Sequence, residues 1–321
     1  MKKNSLFNWN LKITAVAIAL GFGLVACNDD DDTPMIETNT IVDVASGNAN
    51  FSTLVAAVDR ADLVATLSSP GPFTVFAPTN EAFGSFLDAN GLTADQLLAN
   101  PDLADILTYH VVSGSVGSSD VAAGRVNTVE GSPFYVSVDP DQRIWINGSA
   151  EITQTDIAAS NGIIHVLDKV IVAPTQNIAE IATGFANSDE PQFTQLVAAL
   201  VRADLVDAFM GGIDDNFTVF APTDAAFEAL YDALGPDVNG IDDIEIGLLT
   251  NVLRYHVVPE TRAFSQDLTE GASLPTLLAG SNLTVDLANL QINESGLVTN
   301  LLNVHATNGV IHVIDSVLLP E

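Results

Sequence analysis

The stretch Phe73-Thr-Val-Phe-Ala-Pro-Thr79 returns letter for letter as Phe217-Thr-Val-Phe-Ala-Pro-Thr223, 144 positions later. Seven identical residues at one offset are not a chance event, and they have company on both sides. Upstream, Phe51-Ser-Thr-Leu-Val-Ala-Ala-Val-Asp-Arg-Ala-Asp-Leu63 matches Phe193-Thr-Gln-Leu-Val-Ala-Ala-Leu-Val-Arg-Ala-Asp-Leu205 at an offset of 142. Downstream, Tyr109-His-Val-Val112 matches Tyr255-His-Val-Val258 at 146. Asn161-Gly-Ile-Ile-His-Val-Leu-Asp-Lys-Val170 matches Asn308-Gly-Val-Ile-His-Val-Ile-Asp-Ser-Val317 at 147. The offset creeps up by single residues, as loop insertions would make it. A period near 145 residues is that of a whole domain and is too long for a solenoid repeat. The chain is one globular domain duplicated.

Each copy reads in the same order. A short helix opens it, Ile41–Ala45 or Ile178–Ala182. Phe51, Leu54, Val55 and Val58 then fall at i, i+3, i+4 and i+7, one face of an amphipathic helix, and Phe193, Leu196, Val197 and Leu200 repeat it. Phe73–Phe76 is a short β-branched apolar run, read as a buried strand that Pro78 ends and Thr79 follows as a helix cap. Ala82, Phe83, Phe86 and Leu87 are the buried face of that next helix, echoed by Ala226, Phe227, Leu230 and Tyr231. Further on, Phe134–Val138 and Arg143–Ile146 flank a turn at 139–142. Asn161-Gly162 and Asn308-Gly309 read as type I′ hairpin turns. The runs 163–172 and 310–319 are almost wholly apolar, as a central two-sided strand would be. Helices segregated from an antiparallel sheet predict an α+β fold. Ala173-Pro174-Thr175 is too short a link to let the halves move as free beads.

The ends carry different information. Lys2, Lys3 and Lys12 precede an uncharged, mostly apolar run from Ile13 to Phe22, the layout of a secretory signal. That run ends in Leu24-Val25-Ala26-Cys27, which resembles a bacterial lipobox, and Cys27 is the only cysteine. The expectation is a signal peptide over 1–26 and lipid on Cys27. An acidic tether over 27–37, including Asp29–Asp32, would be solvated. One repeat would then occupy 38–173 and the other 174–321. With no second thiol there is no disulfide framework and no cysteine nucleophile. Three of the ten basic residues and none of the 41 acidic ones lie in the signal, which leaves seven against 41 and a formal charge of −34. Such a surface repels phosphate backbones, so nucleic acid is excluded as a partner. The same acidity leaves weak surface binding of Ca²⁺ open.

The Thr74–Phe83 and Thr218–Phe227 blocks, the two Tyr-His pairs and the two terminal Asn-Gly-x-Ile-His-Val-x-Asp blocks together resemble the fasciclin (FAS1) domain family, in tandem. The resemblance covers residues 38–321. It implies two β-sandwich-like wedges with helices packed against them, and a role in adhesion at a cell surface or matrix. With the lipobox and the acidic run it points to a lipid-anchored protein of the outer membrane or cell surface. The partner would be a protein, or a matrix or polysaccharide component. An alternative that the resemblance also implies is a binding module for an apolar, carotenoid-like small molecule.

Four of the five histidines sit in the repeated blocks: His110 and His256 after a tyrosine where a helix meets a strand, His165 and His312 within apolar strands. They could serve a metal or a general base. They could equally bond backbone groups and pin the elements they sit on. A scaffold residue must stay in both copies of a duplicated fold, so Tyr109, His110, His165, Tyr255, His256 and His312 are expected to be structural. No Gly-x-Ser-x-Gly elbow, P-loop or dinucleotide fingerprint appears. In Asp237–Glu245 the glycine stands fourth, where an EF-hand needs it sixth, so a turn into a capped helix is expected there. No catalytic, cofactor or metal site is expected, and no enzyme. The Asn-x-Ser/Thr triplets at Asn50, Asn147, Asn216, Asn282 and Asn293 have no glycosylation role in a lipobox protein.

Overall fold

The computed structural model describes residues 39–320; the signal, Cys27 and the tether lie outside the described residues. In the first repeat six helices, α1 (Ile41–Ser46), α2 (Ser52–Arg60), α3 (Val64–Leu67), α4 (Asn80–Asn90), α5 (Ala94–Leu98) and α6 (Leu103–Tyr109), accompany seven strands. The strands are β1 (Phe73–Pro78), β2 (Val111–Ser113), β3 (Gly124–Asn127), β4 (Pro133–Val138), β5 (Ile144–Ile146), β6 (Ala150–Ala159) and β7 (Gly162–Leu167). They join in the order β2-β1-β7-β6-β5-β4-β3.

The second repeat has α7 (Ile178–Ala186), α8 (Thr194–Arg202), α9 (Asp224–Leu234) and α10 (Ile246–Tyr255). Its strands are β8 (Phe217–Pro222), β9 (Val257–Pro259), β10 (Ser273–Pro275), β11 (Asn282–Asp286), β12 (Gln291–Ile292), β13 (Ser295–Gly296), β14 (Val304–Ala306) and β15 (Gly309–Ile314). Here the strand matching β6 is broken into β13 and β14 by a turn of 3₁₀ helix at Thr299–Leu301. Two four-stranded sheets result, β14-β15-β8-β9 and β10-β11-β12-β13. Among the described residues no helix is long and apolar enough to cross a membrane.

The fold class is α+β, with one correction. The sheet is mixed, because β1 runs parallel to β7 and β8 parallel to β15. An apolar run reads the same in either direction; here the helices after β1 return the chain antiparallel to it as β2, and only β7, the last strand, takes up the heading of β1 beside it. The last strands are also shorter than expected and stop at Leu167 and Ile314.

These central strands are buried on both faces. Against one face of the first repeat pack Phe51, Leu54, Ala57, Phe83 and Leu107 from the helices, together with Val75 and Ile164. Against the other lie Phe76, Tyr109, Phe134, Ile146 and Leu167. The second repeat has the same two layers. Each phenylalanine so buried is worth roughly 1.5–3 kcal/mol. Thr79 and Thr223 cap α4 and α9 by accepting the N–H of Ala82 and Ala226, each worth about 1 kcal/mol.

The Asn-Gly pairs do something other than form a type I′ turn. Neither Asn161 nor Gly162 has a positive φ, and the two-residue loop is Ser160-Asn161. The Asn161 side chain accepts from Ile41 N–H and donates to the Leu67 and Ser69 carbonyls. Gly162 is demanded by close approach, since a Cβ there would lie 2.0 Å from the Phe73 carbonyl oxygen. Asn308 and Gly309 repeat both devices against Ile178, Phe209 and Phe217.

Candidate functional site

Each Tyr-His pair sits where a helix ends and the edge strand begins. His110 follows α6 and is buried, with Nδ1–H donating to the Ile106 carbonyl (2.7 Å) while Nε2 accepts from Ile171 N–H (3.1 Å). His256 repeats this with Val252 (2.7 Å) and Leu318 (2.9 Å). Both nitrogens are occupied only if the ring is neutral with its proton on Nδ1. Burial pushes both imidazoles down to about 4, against the backbone bonds that pull them up. Each ring thereby ties the end of a helix to the segment leaving the last strand.

The tyrosines belong to a network that includes residues the sequence did not single out for this purpose. Tyr109 OH donates to the Pro133 carbonyl (3.0 Å) and accepts from Asn147 Nδ2 (3.1 Å), whose Oδ1 accepts Tyr135 N–H (2.9 Å). Tyr255, Asn282, Asn293 and Thr284 reproduce it at 3.0, 3.0 and 2.8 Å. Asn147 (φ 50°) and Asn293 (φ 53°) are left-handed, a conformation asparagine tolerates better than most side chains. A signal was present: Ile146-Asn147 and Ile292-Asn293 stand at the same offset as the Tyr-His pairs.

In β7 and β15 the tautomer is reversed. His165 Nε2–H donates to the Val116 carbonyl (2.9 Å) and Nδ1 accepts from Asp156 N–H (3.3 Å). His312 does the same with Ala263 (2.8 Å) and Asn303 (3.4 Å). Their rings lie 5.4 and 5.6 Å from those of Phe76 and Phe220. In all four histidines both nitrogens are committed to backbone groups, which leaves no lone pair for a metal and no proton to exchange with a substrate. Among the described residues no group of three His, Cys, Asp or Glu is placed to hold a metal ion.

The spaces between helices and sheet are small. An apolar cavity lined by Ile41, Leu54, Val75, Phe76 and His110, and its counterpart lined by Ile178, Leu196, Val219, Phe220 and His256, each hold about 30 Å³. That is room for one water-sized group, where a small-molecule site needs roughly 300–1,000 Å³. A larger groove of about 890 Å³ opens beside Tyr255 and is lined by Asn282, Thr284, Asn293, Glu294, Ser316 and Leu318 among others.

The two repeats are in contact. Phe264 lies against Gly148, so close that a Cβ on that left-handed glycine (φ 62°) would sit 2.6 Å from Phe264 Cδ1. Asn303 Nδ2 and Gln266 Nε2 both donate to the Gly148 carbonyl, at 2.7 and 3.0 Å. Ser137 Oγ donates to Asp267 (3.0 Å), and the Arg262 guanidinium lies 4.2 Å over the Tyr135 ring. The fifth histidine, His305, is packed edge-on to Tyr135 and Phe264. Burial and the neighbouring Arg262 push it down to about 3.

The Fasciclin domain model matches residues 49–173 and again 191–320. The chain belongs to the fasciclin domain family. Protein sll1483 of Synechocystis is 49% identical over 136 residues, 42% of this chain and 74% of that protein. Transforming growth factor-beta-induced protein ig-h3 of Sus scrofa is 32% identical over 259 residues, 79% of this chain but only 36% of that protein. The chain thus spans about a third of this animal relative. A solved FAS1 domain pair from the insect cell adhesion molecule fasciclin I aligns over 85% of this chain and 98% of its own, at 20% identity and a TM-score of 0.37.

Proposed function

We propose that this fasciclin-family protein is a membrane-anchored adhesion or interaction protein of the cell surface, without catalytic activity. The observation that carries the reading is the family domain present twice in one chain. The supporting sequence features are a lipobox-like Leu24–Cys27, an acidic tether over 27–37 and seven basic against 41 acidic residues after the signal. The histidines that could have served catalysis hold backbone groups in place. The partner in this reading is a protein or a matrix polysaccharide, met at the outer membrane surface.

Two measurements test the reading. Cys27→Ala should release the protein from membranes or leave it as an unprocessed precursor; a variant of mature size that still partitions into detergent contradicts the anchor. Beads coated with the lipid-free chain should aggregate more strongly as salt or millimolar calcium is added. At −34, self-repulsion opposes contact, and screening shortens its reach to about 8 Å near physiological ionic strength. Aggregation that weakens steadily as salt rises points to a basic partner and contradicts homotypic adhesion.

A further inference from the structure

Most of the residues that join the two domains are ones the duplication did not keep; Asp267, which matches Asp120, is kept. Equivalent positions can be assigned from shared hydrogen bonds. Val116 and Ala263 correspond, because each accepts from the strand histidine through its carbonyl and donates its N–H to a threonine of the first strand. Phe264 therefore corresponds to Gly117. Asp156 and Asn303 correspond: each donates its N–H to that histidine, accepts from Ser118 or Ser265, and is left-handed. On the opposite face Tyr135 corresponds to Thr284, and Gly148, which follows Asn147, to Glu294, which follows Asn293.

The contact uses the second domain's loop face, which carries Phe264, Gln266 and Asn303. It docks on the first domain's corner, which carries Tyr135, Ser137 and Gly148. The reciprocal pair of faces is chemically different. The first domain's loop face has Gly117 where the aromatic plug would be. It has Asp156 where the amide donor would be, and hydrogen bonds to Ser118 hold that carboxyl below the usual range, as an acceptor only. The second domain's corner has Thr284 in place of the aromatic floor and Glu294 in place of the glycine. It is the site of the open groove of about 890 Å³. Bringing the first domain of another chain onto that groove would set Asp156 against Glu294 with no aromatic side chain to bury.

We propose that the domain junction is a one-way plug and socket that closes on the pair, with both reciprocal faces altered so that the same contact cannot form between chains. A heterologous contact that could repeat would generate an open filament. Gly117, Asp156, Thr284 and Glu294 stop the series after one step. Any association of copies of this chain then uses another surface, whether or not the adhesive reading holds.

The test uses the mature two-domain chain with Cys27→Ser, so that no lipid is attached. Gly148→Glu places the second domain's corner residue in the first. Amides of Tyr135–Val138 and Phe264–Asp267 should then exchange at least about tenfold faster, while those of β1 and β8 keep their protection and show that both domains remain folded. The triple variant Gly148→Glu, Thr284→Tyr, Glu294→Gly frees the plug and rebuilds a socket on the second domain. It should sediment as concentration-dependent oligomers, with the parent and Gly148→Glu remaining monomeric. Unchanged exchange at both faces in Gly148→Glu overturns the junction. Oligomers of the parent or of Gly148→Glu that Phe264→Ala dissolves overturn the one-way property, as does a triple variant that releases its plug yet stays monomeric.

Discussion

Asn147 and Asn293 each do three things at once: they occupy a left-handed position, donate to a tyrosine hydroxyl and accept a strand N–H. Alanine at Asn147 would leave the Tyr135 N–H orphaned beneath a buried corner and would adopt the same φ at greater strain. We expect a loss of roughly 1–3 kcal/mol for the unsatisfied groups. Asn147→Gly should recover the backbone part only, so urea midpoints should rank parent, then glycine, then alanine. A glycine variant less stable than alanine contradicts the conformational part of this account. The strand histidines obey the same logic. Removing His165 or His312 orphans the Val116 or Ala263 carbonyl and one N–H, again about 1–3 kcal/mol. No stoichiometric zinc or copper should accompany the purified parent, and finding one metal per domain contradicts the backbone-pinning role.

At the scale of elements, the hairpin before each last strand joins three parts of the domain. Asn161 ties the start of α1 to the end of α3, and Gly162 lets β7 lie against β1. Asn161→Ala should therefore loosen α1 selectively. Its amides should lose hydrogen-exchange protection while those of β4 and β5 keep theirs; uniform loss across the domain would contradict a local tie. This element also shows where sequence reading stops. The helices were legible because their apolar residues recur at helical spacing and their caps are local, as with Thr79. The order of elements along each copy and the α+β class followed from the repeated blocks. The Asn-Gly pair was misread because its meaning depends on Phe73 and Ile41, which lie about 90 and 120 residues away, and local turn chemistry alone favours type I′. Strand direction failed for the same reason. Asn147 and Asn293 were hidden inside glycosylation triplets, although their offset matched that of the tyrosines they hold.

The histidines that burial pushes well below their ordinary range are unevenly shared between the two domains. His110 in the first domain and His256 and His312 in the second are pushed down to about 4 by burial, and His305 at the junction to about 3. Because these folded-state values lie below the ordinary 6.5, the native state resists protons that the unfolded chain binds. The stability is intact above about 6.5 and is lost as pH falls from there toward 4, by about 1.4 kcal/mol per pH unit for each histidine. Asp43, Asp139, Asp156, Glu245 and Asp286 are held below the usual carboxylate range. Their contribution is present above about 4 and lost only below it, so they do not add to the loss in the upper window. Protonation of the many surface carboxylates relieves self-repulsion near pH 4 and works against the loss there. The window that isolates the histidines is therefore pH 6.5 to 5. Three of the four lie in the second domain, so that domain should unfold first on acidification. The chain after the signal has a single tryptophan, Trp145, on β5 of the first domain. At pH 5 in moderate urea, amides of β8 and β15 should exchange freely while Trp145 fluorescence still reports a folded first domain. Loss of the Trp145 signal first, or an unfolding midpoint that does not move between pH 6.5 and 5, contradicts the assignment of acid lability to these rings.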